Sequence, residues 1–279
     1  MSAAPEKPKM NPTLHVVALL DLLGYGELVK EFQEDLAVIQ GIESVFEDAL
    51  KLMEGIKSAP LGEYSAAWNV IAERITCRLI SDTALITMPF IDLPVLSKDM
   101  TPTENSAVWL EAFLASVSLF CLRITGKTGY FFRGGIALDQ HYESNPRNER
   151  NIFIFSKAVV GAAILMKKEQ ELGTPRILLA HELLSPLQER GKENPLKQHG
   201  WVFDEGGHLV LSIYNAVSVA QKGEEKTTRL LDDIRRGIQG QLRKHGHRPG
   251  IAQKYQWLIV YHNRQVSERL HRPDLVIPV

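Results

Sequence analysis

Two carboxylates and two guanidinium groups stand out because each sits where an apolar strand pattern breaks. Asp21 closes the run 14–20, LHVVALL, and is followed by Gly24 and Gly26 at the start of an amphipathic helical pattern. A run so short and so apolar reads as a strand buried on both faces. An Asp at the end of such a strand, facing a glycine turn and a helix start, suits a metal–phosphate site. The carboxylate holds the cation, and free N–H groups of the turn point at the phosphates. The same placement also suits plain helix capping. Asp82 lies where two β-rich runs meet in ITCRLISDTALITM (75–88), which reads as a hairpin with its tip at or beside Asp82. Alone, Asp82 is an ordinary turn residue. Arg78 interrupts the first of those runs, where it either pairs with a carboxylate or presents its planar fork of N–H donors to a ligand. Arg133 belongs to YFFRGGIAL (130–138), beside Gly134 and Gly135, which allow a bulge or close strand packing. Its own readings are an ion pair at a strand edge or a direct role in catalysis.

The elements that must position these groups follow from hydrophobic periodicity. Phe32, Leu36, Ile39, Ile42, Phe46, Leu50 and Met53 form one apolar helix face over 27–57. A second helix spans 105–125, with Trp109, Phe113, Val117 and Phe120 near one side. A short strand at 151–155 leads into a helix at 156–172 that carries small residues at Ala158, Gly161, Ala162 and Ala163. Beyond lie a strand at 175–180, a hairpin at 199–214 with Gly206 and Gly207 in its turn, and helical segments at 216–246 and 251–270. This order predicts an α+β fold, a mostly antiparallel central sheet covered by helices, with a C-terminal helical extension. The expected organisation is a flexible tail at 1–12, one domain over 13–215, and the extension over 216–279.

The 279 residues carry a net charge of -1, which argues against a broad nucleic-acid or anionic-membrane surface. The two cysteines, Cys77 and Cys121, sit in apolar patterns and read as buried thiols of a cytosolic protein. The first twelve residues, MSAAPEKPKMNP, have no apolar core of a signal peptide, and no stretch reads as a membrane span. The expected location is the cytoplasm. The basic stretch 229–248 alternates with acids and leucines and reads as a solvated helix face. His245 and His247 lack a second pair at metal-site spacing.

Four segments, in order, resemble the class III nucleotidyl cyclases. DLLGYGELV (21–29) resembles their first metal motif, and ISDTALIT (80–87) their Gly-Asp hairpin. RGGIAL (133–138) resembles their R-x-G-I strand, and IFSKAVVGAAILMKKEQELGTPRILLA (154–180) the helix and strand that come next. The resemblance covers roughly residues 13–180. It is closest to the divergent bacterial branch of Pycsar antiphage defence, whose enzymes make cyclic UMP or cyclic CMP. Ser81-Asp82 in place of Gly-Asp, the Arg-Gly-Gly triplet and the small-residue helix all fit that branch better than the adenylate cyclases.

The resemblance implies that Asp21 and Asp82, with the backbone carbonyl of Leu22, hold two divalent cations, Mn²⁺ or Mg²⁺. Two hard carboxylates suit such ions, which also bridge triphosphate oxygens. It implies that Leu23, Gly24 and Tyr25 form the phosphate turn and that Arg78 stands where purine cyclases carry the Lys that reads adenine. The second base-reading position is about Phe153, which is not polar and argues against an ordinary adenine site. The family's transition-state Asn and Arg fall at about Val160 and Ile164, neither able to do that work. Arg133, Arg147, Arg150 and Lys157 are the candidate substitutes. The implied activity is conversion of UTP, ahead of CTP, to its 3′,5′-cyclic monophosphate, in a homodimer with composite sites, for antiphage signalling to an effector the sequence does not identify. The alternatives are an adenylate or guanylate cyclase and a non-catalytic nucleotide-binding module of the same fold.

Overall fold

The computed structural model describes residues 11–26, 40, 44, 47, 65–144, 153–189, 191–219 and 224–278. Most of the helix expected over 27–57 lies outside these residues; Gln40, Ser44 and Glu47 are helical. Inside the sheet is β1 (Thr13–Leu22), paired antiparallel with β3 (Thr83–Pro89) on one side and with β4 (Phe132–Ser144) on the other. The helix α1 (Ser65–Arg74) leads into β2 (Thr76–Ile80), and the remaining strands are β5 (Phe153–Ser156), β6 (Ile177–Leu179), β7 (Val202–Glu205) and β8 (His208–Leu211). They complete one sheet in the order β2-β3-β1-β4-β6-β8-β7, with β5 on the far end of β4. Only β4 and β6 run parallel among these pairs, so the sheet is mostly antiparallel, as expected.

The alternation along β1 assigns its two faces. Val16, Ala18, Leu20 and Leu22 enter the main core with α2 (Pro102–Thr128), while Val17 packs with Leu85 and Ala158 on the opposite face, with Leu19 against them. Asp21 therefore belongs to the second face. There α3 (Lys157–Leu172) lies on the sheet, its first turn capped by the Ser156 hydroxyl. The approach is close enough that a Cβ on Gly135 would run into the Ala162 carbonyl, and one on Gly161 would stand 3.2 Å from Ala137 Cβ. The small residues of α3 are thus packing residues.

The helix α2 begins three residues before its apolar pattern because Thr101 and Glu104 form a reciprocal capping box ahead of Pro102. By length and composition it could cross a membrane, which the sequence reading does not anticipate; 78% of its most apolar window is buried in the protein. Trp109, Phe113, Val117 and Phe120 are fully buried, and truncating Phe113 to Ala would cost about 3–5 kcal/mol. Beyond the sheet come α4 (Pro195–Gln198), α5 (Asn215–Val219), α6 (Glu224–His245) and α7 (Pro249–Arg264), the last running into a π turn at Gln265–Arg269. Leu231, Ile234 and Ile238 of α6 and Tyr255, Leu258 and Ile259 of α7 join the main core. Where α2 ends, Gly129 (φ 72°) meets Gly237 of α6: a Cβ on Gly237 would stand 2.7 Å from Gly129 Cα.

One ionic cluster is buried at the end of α3. Glu169, fully buried, accepts from Arg176 Nε at 3.1 Å and from the Thr174 hydroxyl, and Arg176 also reaches Glu205 at 3.1 Å.

Candidate active site

Asp21 lies opposite Thr83 on β3 and opposite Arg133 on β4. The β2–β3 hairpin turns through Ser81 and Asp82, with Ser81 at φ 59°, and the Leu22 N–H donates to the Asp82 carbonyl at 3.0 Å. That bond ties the hairpin tip to the end of β1 and brings the two carboxylates, 61 positions apart, to one place. Arg133 Nε donates to Asp21 Oδ2 at 2.7 Å, and Nη2 lies 2.6 Å from the same oxygen. Burial pushes the Asp21 carboxyl above its ordinary range; Arg133 pulls it down, and the nearby Asp82 carboxylate pushes it up again. The fold therefore brings Asp21, Asp82 and Arg133 together.

Of the expected phosphate turn, one donor is already taken. The Leu23 N–H donates to the Phe131 carbonyl at 2.8 Å, so this amide already has its partner in the protein. Gly24 is exposed with φ 88°, and a Cβ there would stand 2.8 Å from the Tyr130 ring. Its glycine is thus demanded by the backbone angle and by the ring beneath it. Tyr25, half-buried against the core, begins a helical turn.

Arg78 is salt-bridged to Glu143, a partner the sequence did not indicate. Glu143 is available because β4 runs on to Ser144, six residues beyond its apolar stretch, where β5 pairs with it. Beside it is a cavity of about 330 Å³ lined by His15, Thr76, Thr87, His141 and Glu143. His141 is 1% exposed, lies against His15 with the rings tilted by 45° and their centroids 4.6 Å apart, and has no hydrogen bond to either ring nitrogen. Burial, then the charges of His15 and Arg78, push its pKa down to about 4.

Val160 and Ile164 are 59% and 62% exposed on α3, an open apolar pair with no group for phosphate. Lys157 is exposed at the start of the same helix, and Phe153 stands opposite Ser144. Arg147 and Arg150 lie outside the described residues. A cation that sequence reasoning missed is Lys254 of α7, half-buried and within electrostatic range of Asp21 and Arg133. No local pattern announces it, since only the packing of α7 brings it there. Cys121 is buried and Cys77 half-buried, and burial pushes the Cys77 thiol up to about 12, which leaves both unsuited to nucleophilic work.

The two carboxylates and the Leu22 carbonyl are hard oxygen donors of the kind that Mg²⁺ and Mn²⁺ take, and so fit those ions. Among the described residues no group of three or more His, Cys, Asp or Glu is arranged around a metal, so water and phosphate oxygens would complete the coordination. A larger cavity, about 960 Å³, is built on α2 and the segment 187–201, with Glu104, Glu111 and His199 in its lining. It includes none of the residues above, and size alone gives it no chemistry.

No family model matches the chain, and no curated protein matches it. Among solved structures it is similar to a bacterial light-regulated adenylyl cyclase, at 11% identity and a TM-score of 0.46, over 81% of this chain and 60% of that one. The adenylyl cyclase CyaB from P. aeruginosa gives 15% identity and 0.42, over 73% of this chain and 95% of that one. The guanylyl cyclase Cya2 gives 13% and 0.38, over 72% and 92%. This chain thus spans about three-fifths of the light-regulated cyclase.

Proposed function

We propose that this chain is a metal-dependent nucleotidyl cyclase that acts on a pyrimidine nucleoside triphosphate, UTP ahead of CTP. The observation that carries the reading is the joining of Asp21 and Asp82 at the end of β1, with Arg133 held against Asp21. Two carboxylates kept together at the cost of mutual repulsion are arranged for cations rather than for stability. A divalent cation held there would supply Lewis acidity toward the 3′-hydroxyl and the triphosphate.

In the reaction the ribose 3′-oxygen bonds to the α-phosphorus, the bond from that phosphorus to the β-phosphate oxygen breaks, and pyrophosphate leaves; the 3′-hydroxyl proton passes to water. Asp21 and Asp82 would hold the cations, and Arg133, whose fork lies against Asp21, would offer its donors to phosphate oxygens. At the far end of β4, Arg78 and Glu143 present a donor beside an acceptor. That couple suits the carbonyl and N–H of a uracil edge, and cytosine's amine and bare nitrogen in the opposite order. The exposed Val160–Ile164 face supports a homodimer with composite sites, and the antiphage role rests on the sequence resemblance alone.

Turnover of the four NTPs, one at a time with Mn²⁺, beside Asp82→Ala, tests this. Cyclic UMP or cyclic CMP that vanishes in the variant is the expected result. Purine turnover above pyrimidine turnover removes the base assignment. The second reading, a nucleotide-binding module, is favoured by the missing polar pair at Val160 and Ile164. Nucleotide binding without pyrophosphate release would select it.

A further inference from the structure

We propose that Lys254, carried by the C-terminal helix α7 of the same chain, holds the phosphate tail of the substrate at the Asp21–Asp82 site. This rests on the reading of that site as one for a nucleoside triphosphate. The packing of α7 supports it. Tyr255 is buried beside Tyr130, the ring that fills the space under Gly24. One turn further along, Trp257, Leu258 and Tyr261 close on Phe131 and Phe132, leaving a gap of only about 20 Å³. The helix is thus clamped against residues 130–132, and the next residue of β4 is Arg133. Lys254 stands at that junction, half-buried, with Arg133 and Asp21 both in electrostatic range.

Within range of both the Arg133 guanidinium and the Asp21 carboxylate, Lys254 is a cation best satisfied by a further anion. Asp21 has a single negative charge and already holds Arg133 through two nitrogens. Partial burial presses against the charged ammonium first, the like charge of Arg133 adds to it, and Asp21 offsets them only in part. A polyphosphate carries enough negative charge to satisfy Arg133 and Lys254 together once cations occupy the carboxylates. Lys254 also answers the loss at Val160 and Ile164, because it supplies a positive charge from a helix outside the segment where the resemblance places the Asn and Arg.

The test is binding of inorganic tripolyphosphate to the full chain in Mn²⁺ by titration calorimetry, with Lys254→Met and Lys254→Arg. Met keeps the apolar stem of the side chain and removes its charge. We expect Lys254→Met to weaken tripolyphosphate binding about 10- to 100-fold, the loss of a charge-assisted hydrogen bond. Lys254→Arg should recover most of that loss, which a merely structural role would not give. Wild-type affinity in Lys254→Met overturns the proposal, as does a wild-type protein that takes up no tripolyphosphate. Lys254-dependent binding in a protein that makes no cyclic product keeps the proposal and removes the cyclase reading. Undiminished cyclic product and affinity in Lys254→Met do the reverse.

Discussion

Arg133 and Asp21 are joined by two nitrogens converging on a single oxygen, Oδ2, across the pairing of β4 with β1. The guanidinium is thus the counter-ion of a carboxylate that burial and Asp82 both make reluctant to ionise. A cation taken up at Asp21 would compete with that ion pair.

Replacing Arg133 with Met should therefore tighten Mn²⁺ binding in the absence of nucleotide, by about threefold to tenfold, while lowering turnover by about tenfold or more. Titration followed by Mn²⁺ paramagnetic resonance reads the first, and pyrophosphate release the second. Unchanged Mn²⁺ affinity would show that the pair does not compete with the ion.

Acidification should weaken the fold through His141. Its pKa lies at about 4 in the folded chain, below the ordinary 6.5, so between those values the unfolded chain binds more protons. The contribution is fully present above about pH 6.5 and is lost as the pH falls toward 4. Denaturant unfolding at pH 7 and pH 5 should show a loss of about 1–2 kcal/mol in the wild type, and less in His141→Phe. Equal losses would place the sensitivity elsewhere, His15 first.

Glu169→Gln should destabilise the chain by about 3–5 kcal/mol, because it leaves Arg176 short of its buried counter-ion. A double variant, Glu169→Leu with Arg176→Met, should recover much of that in denaturant midpoint. A double variant as unstable as the single one would mean that the cluster is needed for shape rather than charge balance.

Ser81 occupies a left-handed backbone position at the hairpin tip. Ser81→Gly should stabilise the chain by about 0.5–1 kcal/mol and leave the Asp82 carboxylate in place. A lower melting temperature would show that the Ser81 side chain makes a contact worth more than its backbone cost.

The sequence read best where chemistry and local pattern coincide. Asp21 ends an apolar run, Asp82 sits in a two-residue turn, and the small residues of α3 announce close packing; the alternation along β1 then fixes which face Asp21 takes. Glu143 was not legible because the outer half of β4, DQHYES, has no apolar alternation, and pairing with β5 holds it extended. Lys254 was not legible because nothing near it in the chain refers to Asp21; its place depends on how α7 packs against Tyr130 and Phe131. The amide of Leu23 misled for a similar reason. A glycine-bearing turn suggests free donors, and only the fold shows that Phe131 takes one of them.

The contact between Gly129 and Gly237 places a historical constraint on the molecule. Each backbone fills the room a side chain would need on the other, so neither glycine can be exchanged first and compensated by the second. Any larger residue at either position prises α6, and α7 beyond it, away from the end of α2. Drift at this junction, one residue before Tyr130, is thereby barred, and both positions should be frozen together wherever this chain has descendants.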